Sequence, residues 1–209
     1  MSRIRSNVLT GFRYSILLLM ACTLCSVASA ATTLENLQAA FNGESNAHAR
    51  YLAFAHQAES EGYGEVASLF RAAARAEEIH AANHAEIISE LGGVPQAHIE
   101  SPTVKSTREN LEAAIQGESY ERDTMYPEFL KQARSDRNTH AVRTLNLART
   151  AEIEHARLFT AALSNLEQLK GIGGAVFYVC GVCGLTTREV DFSKCPSCFS
   201  SKEIFEKVS

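Results

Sequence analysis

Beyond its first few residues the sequence has no stretch dense in basic side chains, and over the whole chain 20 Lys and Arg face 24 Asp and Glu. A track for phosphates is therefore missing, which excludes nucleic acid as a partner. Nor does any apolar run reach the ~20 residues that span a bilayer comfortably. The stretch YSILLLMACTLCSV falls short of that length and stands close to the N-terminus. Proline is scarce, with four residues, and cysteine is absent from Ser26 to Val179. Thiol chemistry outside the N-terminal stretch is thus confined to the last 30 residues. What the chain does have is 45% hydrophobic residues among 209, enough for one ordinary core plus a small appendage and too many for a disordered chain.

Arg3, Arg5 and Arg13 precede or open that apolar run, and Val27-Ala28-Ser29-Ala30 followed by Ala31 closes it. A basic start, a short apolar middle and small residues two apart form the pattern of a secretory signal peptide, residues 1–30, so we expect an exported, periplasmic protein. A second processing route is available: LMAC, ending at Cys22, resembles the lipobox of bacterial lipoproteins, and would leave the chain anchored through an acylated Cys22. Cleavage after Ala30 fits the simpler rule. Either cut removes arginines and no acids, so the mature chain is acidic.

Apolar residues from about Thr33 to Glu61 recur at spacings of three and four, the period of an amphipathic helix. Thr32 with Glu35 forms a capping box, and Gly62 and Gly64 end the segment. A second helix is predicted from Glu65 to Leu91, where Gly92, Gly93 and Pro95 stop it. A long connection follows to Thr107. Ser106 with Glu109 caps a third helix reaching about Arg134, in which Pro127 removes a hydrogen bond and predicts a kink or bulge. The fourth runs from His140 to Lys170. Two helical hairpins joined by one long crossover describe an all-α, ferritin-like four-helix bundle over residues 31–170. GIGGA at 171–175 reads as a flexible linker, and residues 176–209 as a separate small domain, too short to fold readily without a staple or a metal.

The alanine-rich second helix carries AEEIHA at 76–81, and the fourth carries AEIEHA at 151–156. Glu77 and Glu152 stand 75 apart, as do His80 and His155; GES at 43–45 returns at 117–119, placing Glu44 and Glu118 74 apart. Each half of the bundle therefore has a lone Glu on its first helix and Glu-x-x-His on its second, the mark of an internal duplication. Residues i and i+3 share a helix face, so four glutamates and two histidines converge. An empty cluster of this kind would suffer desolvation and like-charge repulsion, and two divalent cations remove both. The set Glu44, Glu77, His80, Glu118, Glu152 and His155 is that of di-iron or di-manganese carboxylate bundles. Glu121, one turn after Glu118, has no counterpart, because the matching residue is Ala47. It is a seventh candidate ligand, able to move on and off one metal as its charge changes. Glu78 and Glu154 lie outside the repeated pattern, and His48 and His84 read as ordinary helix residues.

The tail holds Cys180 and Cys183 in one CxxC turn and Cys195 and Cys198 in another. Two such turns present four thiolates to one tetrahedral ion, iron or zinc, against the alternative of disulfides in an exported chain.

With GES, AEEIH, GESYE, AEIEH and four cysteines in this order, nearly all of the chain from about residue 33 onward resembles rubrerythrin. That resemblance implies a di-iron bundle followed by a C-terminal rubredoxin-like metal-binding β/loop domain, with two iron ions in the first and one iron, or zinc, in the second. It implies reduction of hydrogen peroxide to water at the di-iron site, with electrons from an unidentified donor arriving through the cysteine iron. Tyr51 and Tyr126 match family positions that hydrogen-bond ligand carboxylates, and with Glu121 they are the implied catalytic residues. A homodimer or higher homo-oligomer is expected. Phe199 departs from the pattern, since rubredoxins usually carry Gly there in a turn that favours positive φ. The rival readings are a ferroxidase, or an iron-buffering bundle with a structural zinc knuckle.

Overall fold

The computed structural model describes residues 31–209. The expected leader, with both of its processing routes, lies outside the described residues. No described helix is long and apolar enough to cross a membrane.

Helix α1 spans Thr33–Ser60, α2 Gly64–Glu90, α3 Thr107–Tyr120, α4 Tyr126–Ser135, α5 Thr139–Ser164 and the short α6 Leu166–Leu169. The predicted caps close as hydrogen bonds: Glu35 N–H donates to Thr32 Oγ1 at 3.2 Å and Thr32 N–H to a Glu35 carboxylate oxygen at 2.7 Å. Ser106 and Glu109 repeat the arrangement at α3. Gly62 and Gly92 end α1 and α2 with φ of 78° and 79°, values only glycine adopts without strain. The connection from Leu91 to Ser106 has no regular structure, yet α1 holds it by a ladder of side chains one turn apart. Gln38 donates to the Val94 carbonyl at 2.6 Å, Asn42 accepts from His98 N–H at 2.8 Å, and Asn46 donates to the His98 carbonyl at 2.9 Å.

The irregularity foreseen from Pro127 is a π-helical turn at Glu121–Met125, between α3 and α4, closed by Tyr126 N–H to the Glu121 carbonyl. One extra residue is thereby accommodated in the third helix. The repeat records the same insertion, since Glu44 and Glu118 are 74 apart whereas Tyr51 and Tyr126 are 75 apart. The turn brings Tyr126 back to the position that Tyr51 holds in the other half.

Two apolar clusters fill the bundle. One gathers Tyr51, Phe54, Phe70 and Phe159, with the Phe70 and Phe159 ring centroids 5.1 Å apart. The other gathers Leu37, Ile88, Tyr126, Leu130 and Leu145. On α1, α2 and α5 the repeated glutamates and histidines fall between residues of the two clusters, and Glu118 falls between Leu111 of the first and Met125 of the second, so the polar site is sealed at both ends.

The tail forms a three-stranded antiparallel sheet in the order β2-β1-β3, with β1 at Phe177–Cys180, β2 at Thr186–Thr187 and β3 at Phe205–Val208. Phe177 and Val179 are buried in the same cluster as Tyr51 and Phe70, so the small domain packs directly on α2. Residues 31–209 form one compact unit. The linker is not the flexible joint its glycines suggest. Gly64 N–H donates to the Ile172 carbonyl at 3.1 Å, Gly171 N–H to the Gly62 carbonyl at 2.8 Å, and Ala175 N–H to Ser68 Oγ at 3.2 Å. A Cβ at Gly64 would sit 2.7 Å from the Gly173 backbone, so glycine here serves close approach rather than mobility.

Candidate metal centre

Glu44 on α1, Glu77 and His80 on α2, Glu118 on α3, and Glu152 and His155 on α5 are all 0–1% exposed. The structure gathers them into two overlapping groups, Glu44, Glu77, His80 and Glu152, and Glu77, Glu118, Glu152 and His155, each with donor atoms within 4.8 Å of one another. Glu77 and Glu152 belong to both. The donors would thus hold two adjacent ions, each with one glutamate and one histidine of its own and with Glu77 and Glu152 common to both. Glu44 Oε2, Glu77 Oε1, Glu118 Oε2, both Glu152 oxygens and His155 Nδ1 make no well-formed hydrogen bond. Buried carboxylate oxygens without partners are costly, and cations are what such a set accommodates.

Electrostatics without metal tell the same story. Burial, with the charges of Glu121, Glu77 and Glu152, raises the Glu44 carboxyl well above its ordinary value. Glu118 is raised likewise by burial and by Glu77. Burial opposes ionisation of Glu77 too, but the neighbouring His155 and His80 imidazoles overcome it and hold that carboxyl below the usual range. Burial would lower both histidines, yet the carboxylates win, and His155 rises to about 9 through Glu152 and Glu77. Donors that hold protons this strongly when no cation is bound are arranged for positive charge.

Both histidines turn Nδ1 toward the carboxylates. His80 Nδ1 lies 2.9 Å from Glu77 Oε2 and 3.0 Å from Glu152 Oε1, and His155 Nδ1 lies 2.8 Å from Glu152 Oε2. Their Nε2 atoms point to the cysteine domain. His80 Nε2 meets the Cys183 carbonyl at 3.1 Å, and His155 Nε2 meets Thr186 Oγ1 at 3.0 Å. A carbonyl only accepts, and Thr186 Oγ1 already donates to the Gly184 carbonyl at 3.1 Å, so each Nε2 must carry the proton. Nδ1 is thereby left free as a metal donor, with its ring oriented by an outer partner. Gly184 makes this contact possible: its φ is +74°, and a Cβ there would stand 2.3 Å from His80 Nε2.

Tyr51 donates to Glu118 Oε1 at 2.5 Å, and Tyr126 donates to Glu44 Oε1. Each tyrosine therefore supports the lone glutamate of the opposite half. Glu121 is half-buried as a residue and lies outside both four-residue groups. Its carboxyl is nevertheless enclosed enough that burial, and then the charges of Glu152 and Glu77, raise its pKa well above normal. It stands beside the cluster rather than in it. His48 is tied to the Ala74 carbonyl at 2.8 Å, an ordinary helix contact. His84, which the sequence also suggests is ordinary, is fully buried between Tyr126 and Thr144.

The four cysteines are free thiols whose Sγ atoms lie 3.6 Å apart for Cys180 and Cys198 and 3.7 Å for Cys183 and Cys195. A disulfide needs about 2.05 Å, whereas a tetrahedral ion with metal–sulfur bonds of ~2.3 Å sets sulfurs about 3.7–3.8 Å apart. Hydrogen bonding from Cys183, helped by the Val182 and Cys183 backbone N–H groups, lowers Cys180 to about 5, so one thiolate is available at neutral pH. Phe199 has φ of 63° in the turn after Cys198, the left-handed conformation that makes glycine usual there, with its ring 73% exposed.

The sequence model of the rubrerythrin family matches residues 35–163. The chain is 38% identical over 175 residues to nigerythrin of Nitratidesulfovibrio vulgaris, covering 83% of this chain and 85% of that one. It is 37% identical over 178 residues to rubrerythrin-2 of Clostridium acetobutylicum, covering 84% and 96% respectively. Among solved structures, fully reduced, all-ferrous nigerythrin superposes with a TM-score of 0.78 at 34% identity, over 95% of this chain and 100% of that one. A bacterioferritin from Desulfovibrio desulfuricans, at 24% identity and a TM-score of 0.63 over 68% of this chain and 88% of that one, shares the bundle fold.

Proposed function

The chain belongs to the rubrerythrin family, and from that membership we propose that it reduces hydrogen peroxide to water at the buried carboxylate–histidine centre, with electrons from an outside donor entering at the four cysteines. The family has a di-iron site in the bundle and a rubredoxin-like iron, and the chain has a ligand set suited to each. Glu44, Glu77, His80, Glu118, Glu152 and His155 would hold the pair, and Cys180, Cys183, Cys195 and Cys198 the single iron. Bound iron supplies two electrons by passing from ferrous to ferric, which with two protons convert one peroxide into two water molecules.

The observation that carries this reading is His80, whose Nδ1 faces the carboxylates while its Nε2 meets the Cys183 carbonyl at 3.1 Å. One imidazole thus spans the short gap between the two ligand sets, an arrangement a storage bundle has no use for. Glu121 would serve as the carboxylate that joins the site as its positive charge grows. Glu121→Ala should keep both bundle metals, because four glutamates and two histidines remain, but lose peroxide turnover more than oxygen-dependent iron oxidation, both assayed with a chemical reductant. Equal loss in both assays would remove the exchange role.

Export is proposed from the N-terminal pattern, and a homo-oligomer from the family resemblance. N-terminal sequencing of the mature protein should begin at Ala31, or meet an acylated Cys22, and sedimentation should give a mass above that of one chain.

A further inference from the structure

The two halves of the bundle support their lone glutamates in the same way, but only one half goes further. Tyr51 donates to Glu118, and behind its ring stand Phe54, Phe70 and Phe159, with the Phe159 centroid 5.4 Å away. Tyr126 donates to Glu44, and its oxygen also meets His84 Nε2 at 3.1 Å, while His84 Nδ1 meets Thr144 Oγ1 at 3.1 Å. By the 75-residue offset of the repeat, His84 corresponds to Phe159 and Thr144 to Leu69. The apolar half shows that a tyrosine can be held on its glutamate without these polar groups. Some other requirement must account for a fully buried histidine and a buried threonine placed end to end.

Thr144 lines a pocket of about 320 Å³ between α2 and α5, whose wall also carries Glu86, Glu90, His140 and Arg143. Such a charged rim and volume suit several water molecules. We propose that Thr144, His84 and Tyr126 form a proton wire from this pocket to the Glu44 carboxylate, supplying protons for peroxide reduction at the site read above.

The hydrogen-bond directions permit it. A carboxylate holding a metal accepts only, so Tyr126 O–H donates to Glu44; the Tyr126 oxygen then accepts from His84 Nε2–H, and His84 Nδ1, left bare, accepts from Thr144 O–H. Every donor points inward. One proton arriving at the Thr144 oxygen releases the hydroxyl proton to His84 Nδ1, Nε2–H passes to Tyr126, and the tyrosine proton passes to Glu44. One proton enters, one is delivered, each member ends neutral, and no electrons move. No ionised intermediate is required of His84, which takes a proton at Nδ1 as it releases the one at Nε2. Each passage leaves the chain reversed, so the hydroxyls must turn and the imidazole must return its proton to Nε2 before the next.

The test has a readout independent of turnover. In full-length protein carrying zinc at both sites and ¹⁵N-labelled histidine, the exchange of the His84 Nε2 proton with water is measured by NMR. Thr144→Val, which keeps shape and removes the hydroxyl, should slow that exchange about a hundredfold, the lower end of what one positioned proton carrier contributes. Thr144→Ser should restore it. In the iron protein the Val variant should lose peroxide turnover with a larger solvent deuterium isotope effect, at unchanged metal content. Unchanged exchange in Thr144→Val, or exchange equally slow in Thr144→Ser, would overturn the wire. Normal slowing of exchange in a protein without peroxide turnover would instead overturn the assigned reaction and leave the wire standing.

Discussion

Gly184→Ala separates backbone strain from the fit between cysteine domain and bundle. The residue has φ of +74°, and its missing Cβ would lie 2.3 Å from His80 Nε2, 2.8 Å from His80 Cδ2 and 3.2 Å from the Ala76 carbonyl. Alanine in a left-handed conformation costs roughly 1–2 kcal/mol. The clash adds overpacking of roughly 1–3 kcal/mol, because His80 is locked between carboxylates and cannot turn aside. Gly92→Ala supplies the control, since φ there is +79° and nothing lies within 4 Å of the added carbon. In a domain of this size each kcal/mol lowers Tm by ~2–4 °C. Thermal unfolding of the metal-loaded proteins, followed by circular dichroism, should place Gly184→Ala several degrees below Gly92→Ala. The variant should also lose the His80 contact to the Cys183 carbonyl, visible as a changed ¹⁵N shift of that imidazole. Equal Tm values would mean that the small domain does not rest on His80, and the link between the two sites would fall with it.

Three further outcomes follow from the geometry. His80→Ala should deplete bundle metal and also shift the spectrum or potential of the cysteine iron, whereas His155→Ala should deplete bundle metal alone; metal analysis with visible spectra distinguishes them. Tyr51→Phe keeps the aromatic packing but removes the 2.5 Å bond to Glu118, and should weaken metal binding about 10–100-fold, as loss of an outer partner typically does; competition with a chelator measures it. Finally, the metal-free protein should lose thermal stability between pH 6 and 9. His155 is raised to about 9, so its contribution is complete below the unfolded value of ~6.5 and vanishes as pH passes the folded one. Glu44 and Glu118, also raised, act in the same direction, while depressed Glu77 acts in the opposite direction but only in acid, below the window measured. A Tm that rises over this range would refute the assignment of protons to the empty site.

The six bundle donors were legible because duplication wrote them twice at helical spacing, and the four cysteines because CxxC turns are local. Even the π turn was foreshadowed, by Pro127 and by an offset that changes from 74 to 75 between Glu118 and Tyr126. The outer contacts were not legible. The Cys183 carbonyl, Thr186 and Gly184 reach the histidines only because Phe177 and Val179 bury themselves against α2, a long-range packing event that leaves no periodic trace. For the same reason residues 176–209 read as a separate domain, and the glycines of the linker as loose. His84 looked ordinary because its partner Thr144 is 60 residues away on another helix.

The central claim is that peroxide reacts at the bundle and draws electrons through the cysteine site. Protein reduced without oxygen and mixed with two equivalents of hydrogen peroxide per chain, enough to take all three electrons, reports this directly, through return of the thiolate-to-iron absorption of the oxidised cysteine iron. The account predicts rapid return in the native protein and slow return in His155→Ala, which keeps the four cysteines and the Cys183 contact but lacks a bundle ligand. Equal rates in the two proteins, or no return in either, would contradict it.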